Sequence, residues 1–597
     1  PVLRDALDMY YAHVLLKDSK NILDTSWSIR QACGKSHHLD SLCKHTLGKG
    51  KEIMDSVDAP LAWKEGRYAD VIKYCIADCK LNYDLFLHGR NEGFVKGRNE
   101  ERKTGREAQM SNIRAAVQVA ETVRSTLGPA GMDKMLVDER GETIVTNDGI
   151  TILRELDTAH PGAQMMVQAS QTQEEVCKDG TTSVVVLAGQ MLALSEGLLM
   201  RGIHPQTIVR AYNKASNVAL KNMPKPFKTE PISIASTALR GKASESSLGK
   251  AAQLCVEAVT QTDGDADRIK MLTQAGGSMS DSYIHNGLVL NKTFINPDWE
   301  CEKDTPRLLM LDGGLDGFNY EDVQMQINDP SQLAEIREQE MHILGGLAQA
   351  IGDVCDVLVV RDGVHEAVAK YLDAKGVGVV SRVQQSDYDA IARVTESNVY
   401  HRFDFDDKEC VGKEINGQIL SKRIGDLDYV AVEVDKSDTV TIIIRGATRQ
   451  TLDEYERAFD DAIGVTCLFH NNNNAYPGGG AVLSKLSLVV REYATNEKGL
   501  TSRERMCMEA FADSLEIIPA AIASNAGMDA LDIVMELRSC EDDMGLYIDF
   551  NGEGRIDYTG VMNVMEPASL VKQIITSATE VCCSILRIDD IIARRGQ

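Results

Sequence analysis

The chain has 597 residues and a formal net charge of −25 with no basic stripe, which argues against nucleic-acid binding as its main business. That length exceeds a single hydrophobic core, so division into several domains is expected. Its 14 cysteines are scattered, with Cys582 and Cys583 adjacent inside an apolar run, a usage that suits a reducing cytoplasmic compartment better than a disulfide framework. The most apolar stretch, 183–200, is interrupted by Gln190, Ser195 and Glu196 and reads as a buried helix, so no membrane partner is expected.

In chain order, the first patterned segment is YADVIKYCIADCKLNYDLFLHG (68–89). It resembles the end of DEDD-type, RNase H-like 3′–5′ exonucleases, whose last motif is Tyr-x-x-x-Asp, here Tyr74 and Asp78. Such chemistry needs several carboxylates around two metal ions, and a leading Asp-x-Glu strand is absent. Residues 1–98, which open on Pro1, are therefore expected to be a truncated and inert exonuclease-like segment. Cys33, His37, His38, Cys43, His45, Cys75 and Cys79 contain no C-x₂-C pair, so zinc is not expected there. The charged stretch KGRNEERKTGRE (96–107) reads as a linker.

Glycine-bearing stretches follow. TLGPAGMDKM (126–135) places Leu127, Gly128, Pro129 and Gly131 at a turn between helical segments. Asn147-Asp148-Gly149 by itself is a turn. Asp179-Gly180-Thr181-Thr182 leads into Ser183 and a long apolar run, which predicts a buried helix with a capped N-terminus. A helix N-terminus offers unpaired N–H groups and partial positive charge to phosphate oxygens. Gly180 would let backbone approach, the threonine hydroxyls would donate, and Asp179 would hold Mg²⁺ against the phosphates. For D-G-T-T alone, an ordinary core helix capped by Asp or Thr is the commoner reading. Gly478-Gly479-Gly480, after the polar run 471–474, is either a flexible loop or a wall for a flat ligand. Neither G-x-x-x-x-G-K-[ST] nor a strand-bound G-x-G-x-x-G occurs, so a P-loop and a Rossmann site are not indicated.

Between these stretches the pattern changes. The region from Gly105 to about Lys225 is helical, PISIASTALRGKASESS (231–247) opens a shorter mixed region, and β-branched runs at 287–295, 307–313, 356–363 and 376–383 alternate with helices, including one over 332–354. A strand over 440–448 and a helix over 451–465 then return toward a helical C-terminal part.

Taken in order, the glycine-bearing stretches together with SNAGMDALDIVMELRS (524–539), GVMNVMEP (560–567) and ILRIDDIIA (585–593) resemble the group II chaperonins, the archaeal thermosome and eukaryotic TRiC, from about Thr104 to Ala593. The resemblance implies a multidomain α and α/β fold. Its parts would be a helical equatorial domain (99–228 and 473–597), a small mixed intermediate domain (229–272 and 430–472) and an α/β apical domain with a lid protrusion (273–429). It implies an ATP- and Mg²⁺-dependent hydrolase that binds unfolded proteins and closes around them in a stacked double ring of like subunits. By the same resemblance Asp461 is the catalytic aspartate, a choice that the residues alone do not make over Asp460. Asp148 is a second carboxylate near the attacking water, Lys242 senses the nucleotide, Glu566 contacts the ribose, and Gly479 and Gly480 wall the base. Lys178, where the family usually has glycine, and Leu483, where an acidic residue is common, depart from the pattern. A non-hydrolysing holding protein is the alternative should Lys178 spoil the site. Met279, Phe294, Trp299, Leu315, Phe318 and Met325 are candidates for a surface that displays apolar side chains to unfolded chains.

Overall fold

A computed structural model describes residues 103–591 apart from 105, 138–140, 142, 157–159, 243–244, 298, 302, 304, 316–329, 402–409, 435–436 and 541–543, with a few isolated positions between Ala62 and Asp84. Tyr74 and Asp78 lie outside the described residues, as do Phe318, Met325 and the expected lid protrusion around them. Two compact units emerge, one of residues 1–108 with 589–597 and one of residues 109–588. In the first, Lys103–Thr104 pairs antiparallel with Asp590–Ile591.

The second unit has its largest hydrophobic core among the helices at either end of its sequence. Its first helices are α1 (Arg106–Arg124), α2 (Gly149–Glu155), α3 (Pro161–Cys177), α4 (Thr181–Met200) and α5 (Pro205–Lys221), with a hairpin of β1 (Lys134–Val137) and β2 (Thr143–Thr146) between α1 and α2. Helix α4 is apolar over most of its surface because it is packed over most of its surface: Val184, Val185, Leu187, Ala188, Met191 and Leu192 are all buried. Each large side chain so buried is worth roughly 1.5–3 kcal/mol.

The middle of the chain leaves this helical body. Helices α6 (Pro231–Leu239) and α7 (Glu245–Gln261) precede β3 (Ile269–Ala275) and β4 (Tyr283–Asn286). An α/β part follows, with β5 (Leu288–Leu290), β6 (Arg307–Leu311), α8 (Pro330–Val354), β7 (Val357–Val360), α9 (Glu366–Ala374), β8 (Gly378–Val380), α10 (Gln385–Thr395), β9 (Val399–Tyr400) and β10 (Lys413–Glu414). Strands β9, β6, β7 and β8 lie parallel in that order, and β10 adds antiparallel to β6. The hairpin of β11 (Gly417–Ile424) and β12 (Leu427–Val434) pairs with β5. The return strand β13 (Val440–Gly446) lies between β3, parallel, and β4, antiparallel, and α11 (Arg449–Asn472) packs its Ala458, Phe459 and Ala462 on that sheet's core.

The chain then re-enters the helical body through β14 (Ala475–Pro477), α12 (Ala481–Asn496), α13 (Ser502–Leu515), α14 (Ile517–Asn525), α15 (Ala530–Ser539), the hairpin of β15 (Met544–Ile548) and β16 (Gly554–Tyr558), β17 (Met565–Pro567) and α16 (Ala568–Arg587). Leu483 on α12 belongs to this core, and Cys582 and Cys583 are buried free thiols on α16. Helices α4 and α16 are long and apolar enough to cross a membrane, and both are packed inside the body.

Several expectations are corrected. The run 287–295 is strand only to Leu290, because the chain turns there so that the Ile295 N–H reaches the Val379 carbonyl at 2.9 Å and Phe294 stacks on Trp299 at 4.6 Å. The helix expected over 451–465 runs on to Asn472, carried by Phe469 and the other buried side chains of its last turns, until Asn473 takes the left-handed cap. Met279, Phe294, Trp299 and Leu315 are core residues, so they do not form a displayed apolar surface. Half-exposed apolar side chains occur instead at Met341 and Ile343 on α8 and Tyr371 on α9.

The helical body also holds a buried ion cluster. Glu516 accepts hydrogen bonds from Ser487 at 2.6 Å and Arg538 Nε at 2.8 Å, with Arg491 at 3.3 Å. Burial pushes the carboxyl upward, but those hydrogen bonds and the two guanidinium charges outweigh it and hold it below the usual carboxylate range. Glu516→Ala is expected to cost about 1.5–3 kcal/mol, the loss of charge-assisted hydrogen bonds, with Arg491 and Arg538 left facing Asp513. A depressed folded-state pKa gives stability that is present above the ordinary carboxylate range and lost as pH falls through the folded value. Thermal unfolding at neutral and acid pH should therefore find the gap between wild type and mutant narrowing on acidification.

Candidate functional site

Two helix N-termini meet. Asp148 caps α2, accepting from the N–H groups of Ile150 at 3.3 Å and Thr151 at 3.1 Å and from the Thr151 hydroxyl at 2.6 Å. Helix α4 begins at Thr181 with Gly180 as its N-cap (φ 76°) and no side-chain cap, contrary to the expected hydroxyl or aspartate cap. The Asp179 carboxylate turns back onto the Gly180 N–H at 2.6 Å, so the first-turn N–H groups of α4 have no side-chain acceptor. A Cβ on Gly149 would run into the Thr182 hydroxyl, and one on Gly180 would sit 3.0 Å from Leu570 and Ile574. Glycine at 149 is what lets the two termini approach, and glycine at 180 is what lets the start of α4 pack against α16.

They open into a cavity of about 220 Å³. Of the residues singled out from the sequence, Leu127, Gly128, Pro129, Asp148, Gly149, Asp179, Gly180, Thr181, Thr182, Ser183, Lys242, Asp461, Gly479 and Glu566 all line it. Gly480 does not: it caps α12 and borders a smaller neighbouring cavity together with Ser183 and Glu566. The loop at 126–131 is tied down by Asn525, whose amide donates to the carbonyls of Arg124 at 3.0 Å and Leu127 at 2.8 Å. Gly479 is tied to β15 by the Leu546 N–H at 2.9 Å, and Glu566 lies on β17 opposite Tyr476 of β14.

From the middle of the chain come Lys242, just after α6, and Asp461, on α11, which form an ion pair in which both side chains are largely buried. Asp460 beside it is exposed and does not line the cavity. Burial pushes the Asp461 carboxyl up to about 7, Asp179 and Asp148 adding to the rise and Lys242 opposing it. Burial depresses the Lys242 ammonium, but Asp461, with Asp179 and Asp148 beyond it, raises it overall. Asp179 is raised by burial and Glu566 is pushed by burial to about 7.

The lining thus holds five carboxylates, Asp148, Glu174, Asp179, Asp461 and Glu566, against Lys178, Arg240 and Lys242. A polyphosphate would add further negative charge. That balance fits a divalent cation held with the anion, and Asp179 suits it, taking only one hydrogen bond through one of its two oxygens. Mg²⁺ commonly keeps waters and substrate phosphates as most of its ligands, so a single protein carboxylate is sufficient to hold it.

Sequence reasoning missed Arg240, Glu174 and Tyr547. The Arg240 guanidinium lies 5.0 Å from the Tyr547 ring and 5.4 Å from Phe550, and it donates to the Ile548 carbonyl at 3.4 Å. Arg555 covers Tyr547 at 5.3 Å. An L-R-G-K loop and a hairpin with Tyr547 and Phe550 carry no local signal that they meet, because 308 positions separate Arg240 from Ile548.

One cavity thus draws its glycines from the segments 128–180 and 479 and its ion pair from Lys242 and Asp461. The model of the TCP-1/cpn60 chaperonin family matches residues 119–595, and the chain belongs to that family. Its relatives narrow this to a group II chaperonin subunit. Thermosome subunit alpha of Archaeoglobus fulgidus is 37% identical over 520 residues, covering 83% of this chain and 94% of that protein. The thermosome subunit of Methanopyrus kandleri is 37% identical over 515 residues, 83% and 93% of the two chains. Thermosome subunit 1 of Haloferax volcanii is 36% identical over 522 residues, 84% and 91%.

Proposed function

We propose that this chaperonin subunit hydrolyses Mg²⁺-ATP in the cavity at the N-termini of α2 and α4, and that turnover closes a stacked double ring around unfolded protein in the cytoplasm. The observation that carries the reading is the convergence of Asp148, Asp179, Lys242 and Asp461, from four separate segments, on one cavity. The open N–H groups at Thr181 and Thr182 receive the phosphates. Asp179 is the residue to hold Mg²⁺, which when bound would neutralise phosphate charge. Asp461 takes the proton of the attacking water, Asp148 helps to orient that water, and Lys242 reports the terminal phosphate by exchanging its contact with Asp461 for one with the nucleotide. Glu566 meets the ribose and Gly479 the base. The thermosome names of the relatives support assembly of like subunits into rings.

The helical body takes the equatorial role, the β3–β13–β4 layer with α6, α7 and α11 the intermediate role, and the α/β part the apical one. In that part Met341, Ile343 and Tyr371 offer apolar contact to non-native chains. Because Asp461 sits on the intermediate layer while Asp148 and Asp179 sit on the helical body, chemistry requires the two to be together. Imaging of the purified protein tests this: with Mg²⁺-ATP rings are expected to close, and without Mg²⁺ they are expected to stay open with no phosphate released. Phosphate release without Mg²⁺, or no assembly at all, would overturn the proposal.

A further inference from the structure

Lys178 ends α3 in the left-handed region, at φ 58° and ψ 6°, with its N–H on the Glu174 carbonyl at 3.0 Å. That cap position is the habitual place of glycine, and an L-residue with a long side chain is strained there. Capping does not explain the lysine, since glycine would close the same helix end without strain. Strain of this kind persists where the surroundings over-determine it and clusters at functional sites.

Two further observations say what the side chain does. Its stem lies against α11 at Gly464, where an added Cβ would overlap the Lys178 Cβ and Cγ and come within 3.4 Å of its Cδ. Gly464 is three positions beyond Asp461, one turn along the same helix face. The residue also lines the cavity, yet its ammonium has no hydrogen-bond or ion-pair partner among the described residues, while Lys242 is already engaged by Asp461.

We propose that Lys178 is a phosphate-binding residue of this chain, braced on Gly464 so that its ammonium meets the terminal phosphate of a bound nucleoside triphosphate beside Asp461. The inference rests on the reading of the cavity as an ATP site. The Lys178 ammonium lines the cavity with only the charge of Glu174 acting on it, so it is able to receive the last phosphate without first breaking the Lys242–Asp461 pair. It acts as a second positive centre and makes the site prefer triphosphate to diphosphate.

Titration of the full chain with Mg²⁺-ATP and Mg²⁺-ADP, for wild type, Lys178→Gly, Lys178→Met and Lys178→Arg, separates this from a purely structural role. Lys178→Gly is expected to melt at the same or a higher temperature, because the strained backbone is relieved. It is nevertheless expected to bind Mg²⁺-ATP about tenfold more weakly, the loss of one charge-assisted hydrogen bond, with ADP affinity changed far less. Lys178→Met keeps the stem on Gly464 and should lose the same affinity, whereas Lys178→Arg should retain it. Unchanged or tighter ATP binding in Lys178→Gly and Lys178→Met would overturn the proposal, as would equal losses for ATP and ADP. A wild-type chain that binds neither nucleotide would instead refute the cavity reading itself.

Discussion

Asp461→Ala is expected to lower ATP turnover by about 10²–10⁴-fold, the usual contribution of a positioned general base. Nucleotide binding should survive, because the groups proposed to receive the phosphates, at Gly180, Thr181 and Thr182, belong to another segment of the chain. Asp461→Asn keeps the size of the side chain and should be almost as inactive, which separates loss of the base from loss of packing. Burial pushes the Asp461 carboxyl up to about 7. A base works only when ionised, so kcat/KM should rise as pH increases through about 7 and level off above it. Lys242→Met removes the cation that opposes the rise, so the midpoint of that profile should move to higher pH. A flat profile for the wild type, or turnover in Asp461→Ala equal to wild type, would remove Asp461 from this role.

How far this site was legible in the sequence depends on how local its physics is. Asp179-Gly180-Thr181-Thr182 announced a helix N-terminus because glycine, hydroxyls and an apolar run are all adjacent. The detail of the cap was misjudged: the aspartate accepts from the N–H of the next residue, Gly180, rather than from the first turn of the helix, a choice made by backbone angles that composition does not encode. Asp460 and Asp461 were indistinguishable from pattern alone, and the roll of α11 against Lys242 separates them. The Arg240 contact with Tyr547 and Phe550 was invisible for the same reason, being wholly tertiary. In the α/β part the element types were readable from β-branched runs, but burial was not. Phe294 and Trp299 look like display residues beside glycine and acids, yet they stack on one another within a core that β5, β6 and β8 complete. A long apolar side chain carries no mark in its own neighbourhood that says whether another element covers it.

Gly479→Ala is the second substitution with a large expected effect. Gly479 sits at φ 66°, a region in which an alanine costs roughly 1–2 kcal/mol. Its new Cβ would overlap the Leu546 carbonyl oxygen and stand 2.9 Å from that residue's nitrogen and 3.0 Å from its carbonyl carbon. These are backbone atoms, unable to swing aside as a side-chain tip does. Relief requires β15 to move away, and the Leu546 N–H bond to the Gly479 carbonyl at 2.9 Å would be lost with it. Leu546, Tyr547 and Ile548 all line the cavity, so the displacement is delivered directly to the ligand side. Overpacking of this kind costs about 1–3 kcal/mol of stability, and the displaced β15 is expected to weaken nucleotide binding as well. Gly202→Ala is the matched control: its φ of 80° imposes similar backbone strain, but its Cβ meets nothing within 4 Å and it lies outside the cavity lining. Titration with Mg²⁺-ATP should find Gly202→Ala binding as wild type does and Gly479→Ala weakened. Equal affinities for the two variants would mean that close packing of the glycine wall against β15 does not shape the nucleotide site.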